Sequence, residues 1–252
     1  MKRTLGKVYI VGAGPGDIGL ITVKGLKALK RCDVVIYDRL VNPKLLKYAV
    51  KAKELIYVGK ERGEPHRQED INKLMIEKAR QGLIVVRLKG GDPMLYGRVG
   101  EECKALRDAG IPYEIVPGIS AFQAAAAYSE IYITHRKYSS SISIATGHEE
   151  RGKKKVDLAS LSKAADTLII FMGASKLKEI IDELVSGGLK TNTPIAIVQN
   201  ASLKEQVIIK GRLRDIARKA EKARLEPPAM IFIGKAVANM PPKPWFKCRI
   251  LR

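Results

Sequence analysis

A polar turn that follows an apolar strand is the first candidate for chemistry in this sequence. Leu83–Val86 is an aliphatic run that predicts a buried parallel strand, and Arg87–Pro93 (RLKGGDP) follows it directly. Ligands of open α/β sheets bind just beyond the carboxyl ends of the strands. Gly90 and Gly91 would let a flat ligand approach the backbone, and Asp92 could accept a hydrogen bond from a ribose or an amine. By itself, the turn is more typical of a tight strand-to-helix connection.

A second glycine-rich turn, Gly12–Asp17 (GAGPGD), follows the predicted strand Lys7–Val11. A dinucleotide-binding G-x-G-x-x-G fingerprint that starts at Gly12 would need glycine at position 17, where Asp17 stands. Pro15 also removes a backbone N–H group that a pyrophosphate would use. The turn therefore favours a ligand that packs against the backbone and carries no phosphate there.

Strand and helix patterns alternate along the chain, which predicts α/β units with mostly parallel sheets. We expect an N-terminal α/β domain over 1–135, a linker over 136–141, a C-terminal α/β domain over 142–240 and a basic tail over 241–252 without a core of its own. The predicted strands are Lys7–Val11, Asp33–Tyr37, Glu54–Val58, Leu83–Val86, Tyr113–Val116, Ile142–Thr146, Thr167–Phe171, Pro194–Val198, Glu205–Lys210 (antiparallel) and Ala229–Ile233. The main predicted helices are Leu20–Lys30, Gln68–Arg80, Ala121–Tyr128, Leu177–Val185 and Ile216–Ala223.

Charge and cysteine content limit the class of protein. The chain has 46 Lys and Arg against 26 Asp and Glu, and a formal net charge of +20 favours an anionic partner without choosing among nucleic acid, small molecule and membrane surface. Cys32, Cys103 and Cys248 are widely spaced and form no CxxC, which predicts a reducing compartment and argues against a structural zinc site. The start does not read as a signal peptide and no apolar run is long enough to span a membrane, so we expect a cytoplasmic, metal-free protein.

A series of short motifs occurs in order along the chain. These are GAGPGD at 12–17, YDRLV at 37–41, GK at 59–60, RLKGGDP at 87–93, GR-x-GEE at 97–102, VPGIS at 116–120, THR at 134–136, TGH at 146–148, MG at 172–173 and TP at 193–194. Together they closely resemble the S-adenosylmethionine-dependent uroporphyrinogen-III C-methyltransferase branch of the tetrapyrrole methylase family. The resemblance runs from about Val8 to Gly234, and RLKGGDP followed by GR-x-GEE is its most specific part.

The resemblance implies a fold and a reaction. The fold is the two-domain α/β tetrapyrrole methylase fold (class III methyltransferase), with mostly parallel sheets, the active site in the inter-domain cleft, and a homodimeric assembly. The reaction transfers two methyl groups from S-adenosylmethionine to uroporphyrinogen III and gives precorrin-2, a precursor of sirohaem and cobalamin, with S-adenosylhomocysteine as the coproduct. Because the cofactor brings an electrophilic methyl group, the protein mainly orients and desolvates the reactants, and no metal is required.

The resemblance also implies site residues. Asp38 matches the proton acceptor and Lys60 the proton donor, although Lys60 could instead hold a substrate carboxylate. The implied cofactor-binding residues are Pro15, Gly90, Gly91, Asp92, Leu95, Ser120, Ala121, Met172 and Ala201. The substrate that the resemblance implies is a polycarboxylate, so we expect a basic site built from Arg39, Arg87, Lys89, Arg98, His135 and Arg136. Alternatively, several of these cations pair with Glu101, Glu102 or Asp92.

Other substrates and classes remain alternatives. A methyltransferase of the same fold could act on a later corrin intermediate or on RNA. A third hypothesis is a ligand-binding protein without catalytic activity. The charge favours RNA, but aromatic residues are only 6% of the chain and form no stacking platform, so nucleic acid is the weaker prediction. Glu130 and Tyr132 stand where relatives have small residues or proline, which could alter the substrate pocket.

Overall fold

The computed structural model describes residues 4–59, 68–147 and 155–251. Its contacts divide the chain into two units, the first ending at Ala121 and the second beginning at Phe122. The sequence placed this boundary near residue 135. The difference arises because the helix that begins at Ala121 makes contacts within the second unit: its Phe122 ring lies 6.3 Å from that of Phe171, centroid to centroid.

Five parallel strands form the sheet of the first unit. They are β1 (Lys7–Gly12), β2 (Val34–Tyr37), β3 (Glu54–Tyr57), β4 (Ile84–Lys89) and β5 (Tyr113–Val116), in the spatial order β3-β2-β4-β1-β5. All four neighbouring pairs are parallel, as the alternation of strands and helices predicted. The carboxyl ends of all five strands therefore lie on one edge of the sheet.

Helices cover both faces of this sheet, because alternate strand residues point to opposite sides. The helices of the first unit are α1 (Val23–Arg31), α2 (Gln68–Arg80) and α3 (Val99–Asp108). On one face, α2 and α3 pack against strand residues such as Ile10, Ile36 and Val85. On the other face, α1 and a short 3-10 helix, Pro43–Tyr48, pack against residues such as Val86 and Leu88.

The second unit has a mixed sheet. Its elements are α4 (Ala121–Ser129), β6 (Ile142–Thr146), α5 (Leu158–Ala164), β7 (Thr167–Phe171), α6 (Leu177–Ser186), β8 (Pro194–Gln199), β9 (Val207–Arg212), α7 (Leu213–Lys222), β10 (Ala229–Gly234) and β11 (Arg249–Leu251). The strand order is β11-β9-β8-β10-β7-β6. β10 is antiparallel to both β7 and β8, and β9 is antiparallel to β8 as predicted, whereas β6–β7 and β9–β11 are parallel. The expectation of mostly parallel sheets therefore holds for the first sheet alone.

Most predicted elements agree with the structure to within a few residues. The helix Gln68–Arg80 and the strands Tyr113–Val116 and Ile142–Thr146 have the predicted bounds. The strand before the GGDP turn is longer than predicted, since β4 continues to Lys89. The short helix Leu158–Ala164 was not predicted.

The basic tail is integrated into the second unit and is not an arm without packing. Its strand β11 pairs with β9, and the Trp245 indole Nε1 donates a hydrogen bond to the Ala127 carbonyl at 3.0 Å. The Trp245 backbone N–H donates to Glu130 Oε2 at 2.8 Å, and the Trp245 and Tyr128 rings lie 4.9 Å apart. Glu130, which the sequence suggested as a modifier of the substrate pocket, thus has a structural partner in the tail.

The end of α7 allows a stability prediction. Arg224 has a left-handed φ of 54°, and the Arg224 and Leu225 N–H groups close the helix on Glu221 O and Ala220 O, each at 2.9 Å. This closing turn prefers glycine at its left-handed position. We expect Arg224→Gly to raise the free energy of unfolding by about 0.5–1 kcal/mol, because relief of the left-handed strain exceeds the added freedom of the unfolded chain. Urea denaturation measures this change in the free energy of unfolding. Lys222→Gly is the control and should destabilise the protein, because Lys222 lies inside the helix. A destabilising Arg224→Gly would contradict the prediction.

An ion-paired glutamate on β5 makes stability depend on pH. Glu114 contacts Lys24 Nζ at 2.5 Å and Lys7 Nζ at 2.6 Å, and hydrogen bonds from Lys24 and then Lys7 lower the pKa of Glu114 to about 2. Because the folded protein holds Glu114 ionised, its stabilising contribution is present above the ordinary pKa of 4.5 and is lost as the pH falls towards 2.

We therefore expect Glu114→Gln to lower stability by up to about 1 kcal/mol at pH 7, the upper range for partly exposed pairs. The difference between wild type and variant should vanish as the pH approaches 2. Urea melts across this pH range measure the difference, and a difference that persists at low pH would show that Glu114 stabilises through packing.

Among the residues that the structure describes, none of the helices combines the length and apolar character that a membrane span requires.

Candidate active site

The two glycine-rich turns of the first unit close on each other at the carboxyl edge of the sheet. The Gly14 N–H donates to the Gly91 carbonyl at 3.2 Å, and the Gly91 N–H donates to the Gly14 carbonyl at 2.9 Å. The Ala13 N–H donates to the Lys89 carbonyl at 2.8 Å, which extends the pairing of β1 and β4 past their ends. The turns that the sequence identified separately therefore form one backbone structure.

Glycine is required where three strand ends converge. A Cβ on Gly12 would lie 2.6 Å from Gly118 Cα and 2.7 Å from the Gly91 carbonyl oxygen, both backbone atoms. The turns after β1, β4 and β5 are thus packed backbone against backbone. Gly12 and Gly118 belong to the GAGPGD and VPGIS motifs, but neither motif indicates that the two glycines touch.

Asp92 joins two of these turns. Its Oδ2 accepts from the Gly118 N–H at 2.9 Å and its Oδ1 accepts from the Met94 N–H at 2.8 Å. The side chain therefore fixes the turn after β4 against the turn after β5. Each carboxylate oxygen can accept more than one hydrogen bond, so this structural role is compatible with a ligand contact.

The backbone at Gly91 offers a surface for a ligand. Its φ is +70°, and a Cβ built there would meet, among the described residues, only Ala121 N at 3.7 Å. At Gly91 this opening agrees with the cradle that the sequence predicted for a flat ligand. At Gly90 the prediction is wrong, because a Cβ there would lie 2.8 Å from the Leu40 Cβ. The other predicted cofactor-binding residues of this unit also follow strand ends: Pro15 follows β1, Gly90 and Leu95 follow β4, and Ser120 and Ala121 follow β5. The structure therefore brings these residues to one edge of the sheet, and they fit an adenosyl ligand that packs against the backbone.

Asp38, the predicted proton acceptor, follows β2 at the same edge. Its Oδ1 accepts a hydrogen bond from Arg87 Nη2 at 2.7 Å, and Oδ2 makes none within the described part of the chain. The Asp38 side chain is 29% exposed, whereas that of Arg87 is 2% exposed. A partly exposed carboxylate held by a buried guanidinium can keep one oxygen available to accept a proton.

Arg87 and Lys89, predicted to bind the substrate, are buried and paired inside the first unit. Arg87 Nε and Lys89 Nζ both donate to Glu102 Oε1, at 3.0 and 2.8 Å. Burial, and then the charge of Arg87, lower the pKa of Lys89, whereas Glu102 opposes this shift. The alternative that some of these cations pair with Glu102 is confirmed, and the burial argues against their direct contact with a substrate.

Arg39 and Arg98, the other described cations of the first unit that the sequence predicts to bind the substrate, are exposed. Arg39 follows Asp38, and Arg98 pairs with Glu101 at 2.8 Å. Arg98 and Tyr96 both have a left-handed φ of 55°, and such strained backbone is enriched at functional sites. Lys60, the predicted proton donor, lies outside the described residues.

The other predicted site residues lie in the second unit. Met172, 49% exposed with a left-handed φ of 54°, follows β7, and Ala201 follows β8. β7 and β8 run in the same direction on either side of β10, so their carboxyl ends share one edge. His135 is half-buried, its Nδ1 accepts from the Lys137 N–H at 3.2 Å, and Arg136 beside it is exposed.

A residue missed by sequence reasoning ties two turns together. Asn42 Nδ2 donates to the Gly16 carbonyl at 2.6 Å, while its Oδ1 accepts from the Lys44 N–H at 3.0 Å. Asn42 thereby joins the turn after β2, which carries Asp38, to the turn after β1. In the sequence, Asn42 followed by Pro43 is typical of a helix start and does not indicate this contact. Within the described ranges, no group of three or more His, Cys, Asp or Glu residues could hold a metal ion.

These features are those of an α/β enzyme whose ligand binds at the carboxyl ends of its parallel strands. They are the parallel sheet, the paired glycine turns and the Asp38–Arg87 ion pair. The sequence pattern of the tetrapyrrole (corrin/porphyrin) methylases matches residues 7–217. The chain belongs to the tetrapyrrole methylase family, as the series of motifs indicated.

Individual relatives agree with this membership. The chain is 49% identical over 236 residues to a uroporphyrinogen-III C-methyltransferase of Methanocaldococcus jannaschii, covering 92% of this chain and 97% of that one. A crystal structure of uroporphyrin-III C-methyltransferase from Thermus thermophilus with S-adenosylhomocysteine is 38% identical, with a TM-score of 0.80 and coverage of 92% and 99%. A cobalt precorrin-4 methyltransferase is 33% identical, with a TM-score of 0.81 and coverage of 92% and 95%.

Proposed function

We propose that this protein is an S-adenosylmethionine-dependent uroporphyrinogen-III C-methyltransferase. It transfers two methyl groups to uroporphyrinogen III and gives precorrin-2, which serves sirohaem and cobalamin biosynthesis. The observation that carries the proposal is the 49% identity over 236 residues to a relative of that name. The open cradle at Gly91 and the Asp38 carboxylate at the same sheet edge support it.

The residues of the proposed cofactor site act mainly by shape and orientation. Bound S-adenosylmethionine supplies an electrophilic methyl group on its sulfonium sulfur. The Gly91 backbone, paired with Gly14, accepts the flat part of this cofactor, because no side chain lies beside the Gly91 Cα. Gly90 supports this turn by packing against Leu40, whose Cβ lies 2.8 Å from where a Gly90 Cβ would be. The proposal assigns the further contacts to Pro15, Leu95, Ser120 and Ala121 in the first unit and to Met172 and Ala201 in the second.

Asp38 performs the proton transfer in this proposal. Attack of an electron-rich pyrrole carbon on the methyl group leaves the macrocycle with a proton to lose. Arg87 holds Oδ1 of Asp38, so Oδ2 is the oxygen that takes this proton. The proposal keeps Lys60 as the proton donor or as a contact of a substrate carboxylate.

In this proposal the anionic substrate is bound by three exposed arginines and by one half-buried histidine. Arg39 and Arg98 in the first unit, and His135 and Arg136 in the second, are the proposed partners of its carboxylates. Arg87 and Lys89 contribute indirectly, because both are buried and both pair with Glu102, and Arg87 also pairs with Asp38. The proposal includes a homodimer, which light scattering would test. The three free cysteines are consistent with work in the reducing cytoplasm.

The likeness to the cobalt precorrin-4 methyltransferase makes a later corrin intermediate the second candidate substrate. Labelled S-adenosylmethionine should be offered anaerobically with uroporphyrinogen III, with a later corrin intermediate, or with bulk RNA. The proposal predicts label in uroporphyrinogen III at a rate far above the other two. Label in the corrin alone would transfer the assignment to the second candidate, and label in RNA alone would overturn the tetrapyrrole assignment.

A further inference from the structure

Two cations share one face of β4 within the first unit. Arg87 and Lys89 are separated by one residue on the strand, so their side chains point to the same side. Both are buried, at 2% and 5% exposure, and the face they occupy is the one covered by α2 and α3. Two buried cations this close repel each other, and a buried anion between them is needed to offset the cost of that repulsion.

Glu102 on α3 supplies that anion. The residue is fully buried, and its Oε1 accepts from Arg87 Nε at 3.0 Å, from Lys89 Nζ at 2.8 Å and from Gln68 Nε2 at 3.3 Å. Its Oε2 is buried and has no hydrogen-bond partner within the described ranges. All three of these hydrogen bonds are therefore made through the one oxygen of Glu102 that faces Arg87 and Lys89.

The guanidinium of Arg87 is held by two carboxylates and by a longer hydrogen bond from Nη1 to the Ile36 carbonyl, at 3.5 Å. Nε is fixed by Glu102, and Nη2 donates to Asp38 Oδ1 at 2.7 Å. Because the group is planar and rigid, fixing Nε sets the direction of the hydrogen bond from Nη2 to Asp38. A continuous path of charged hydrogen bonds thus runs from α3 through β4 to the carboxylate after β2.

We propose that Glu102 is a positioning residue for methyl transfer, which holds Arg87 in the orientation that fixes the Asp38 carboxylate. This inference rests on the proton-accepting role proposed for Asp38. A purely structural role is the competing explanation, since Glu102 could serve only to balance two buried cations. The two explanations differ in whether the effect of Glu102 on the rate depends on Asp38.

The test is a double-mutant cycle on kcat in the full-length protein, with saturating cofactor and uroporphyrinogen III. Glu102→Gln keeps the shape and an oxygen acceptor but removes the charge, and we expect it to lower kcat about 100-fold, as a misplacement on the order of 1 Å would. The Kd for S-adenosylmethionine should stay within twofold of wild type. In an Asp38→Asn background, Glu102→Gln should lower kcat by less than twofold, because the group it positions is already lost.

A second variant keeps the inference testable if Glu102→Gln does not fold. Arg87→Lys retains the charge but cannot reach both carboxylates with a rigid fork, so it should reproduce the loss of kcat and the same dependence on Asp38. Glu54→Gln is the matched control, because Glu54 also ties a strand to a helix of this unit, through Lys78 at 2.7 Å, and its kcat should equal that of wild type.

The outcomes separate this inference from the proposed function. A wild type that does not methylate uroporphyrinogen III contradicts the proposed function. If the wild type is active but Glu102→Gln leaves kcat unchanged, the positioning role is overturned. It is equally overturned if the losses from Glu102→Gln and Asp38→Asn multiply, because Glu102 would then act independently of Asp38.

Discussion

Replacing Asp38 by asparagine should lower kcat for methyl transfer by about 10²–10⁴-fold, the usual contribution of a general base. The amide oxygen of asparagine can still accept the hydrogen bond that Arg87 Nη2 donates to Oδ1 at 2.7 Å. Arg87 also keeps its ion pair with Glu102, so the buried cation is not left alone. The change therefore removes the proton acceptor with little disturbance of its surroundings.

Single-turnover rates and calorimetric titration of S-adenosylmethionine measure the two consequences. The rate should fall while the Kd for the cofactor stays close to the wild-type value. Asp33→Asn is the matched control: Asp33 precedes the same strand at its amino end, where Oδ2 accepts from the Ile84 N–H at 2.8 Å. An unchanged rate in Asp38→Asn would show that Asp38 takes no part in the mechanism. An equal loss of rate in Asp33→Asn would show that both variants act by disturbing strand β2.

Adding one methyl group at Gly12 should abolish cofactor binding. In Gly12→Ala the new Cβ would overlap Gly118 Cα and the Gly91 carbonyl oxygen, at 2.6 and 2.7 Å. These atoms belong to the backbone and cannot move aside as a side chain could. The turns after β1, β4 and β5 must separate, and the Gly14–Gly91 pairing that presents the Gly91 cradle would be lost. We expect a loss of at least 100-fold in affinity and about 1–3 kcal/mol in stability.

Gly6→Ala separates loss of binding from loss of stability. A Cβ on Gly6 would overlap the Leu83 carbonyl oxygen, at the amino edge of the same sheet and away from the proposed site. Both variants should lose stability in denaturant melts, but only Gly12→Ala should lose affinity for S-adenosylmethionine in calorimetric titration. Tight cofactor binding by a folded Gly12→Ala would contradict the assignment of the interlocked turns as the cofactor site.

The first sheet could be predicted from the sequence because its signals are local. Each predicted strand is a short run rich in aliphatic residues that is followed by glycine, proline or a polar residue, and helices separate the strands. The second sheet is mixed because β10 returns between β7 and β8, a pairing between segments distant in sequence that no local pattern encodes. The tail was misjudged for the same reason: the three residues of β11 acquire their structure by pairing with β9.

The site was predictable as a set of positions but not as a network. Motifs placed Gly91, Asp92 and Asp38 after strands, and parallel strands bring such residues to one edge. They could not distinguish Glu101 from Glu102, which are adjacent in sequence. Successive residues of helix α3 point about 100° apart around its axis. Glu101 is therefore exposed beside Arg98, whereas Glu102 is buried against Arg87. Arg87 and Lys89 are buried because α3 packs over them, and the sequence of strand β4 alone does not predict that burial.

Mass analysis of the macrocycle produced by the purified protein tests the central claim most directly. Uroporphyrinogen III and excess S-adenosylmethionine would be incubated anaerobically, and the macrocycle followed over time. We predict that a singly methylated species appears first and is converted into a species with two added methyl groups, with two equivalents of S-adenosylhomocysteine released. A macrocycle that remains unmethylated, while the protein binds S-adenosylmethionine and methylates another substrate, would contradict the assignment.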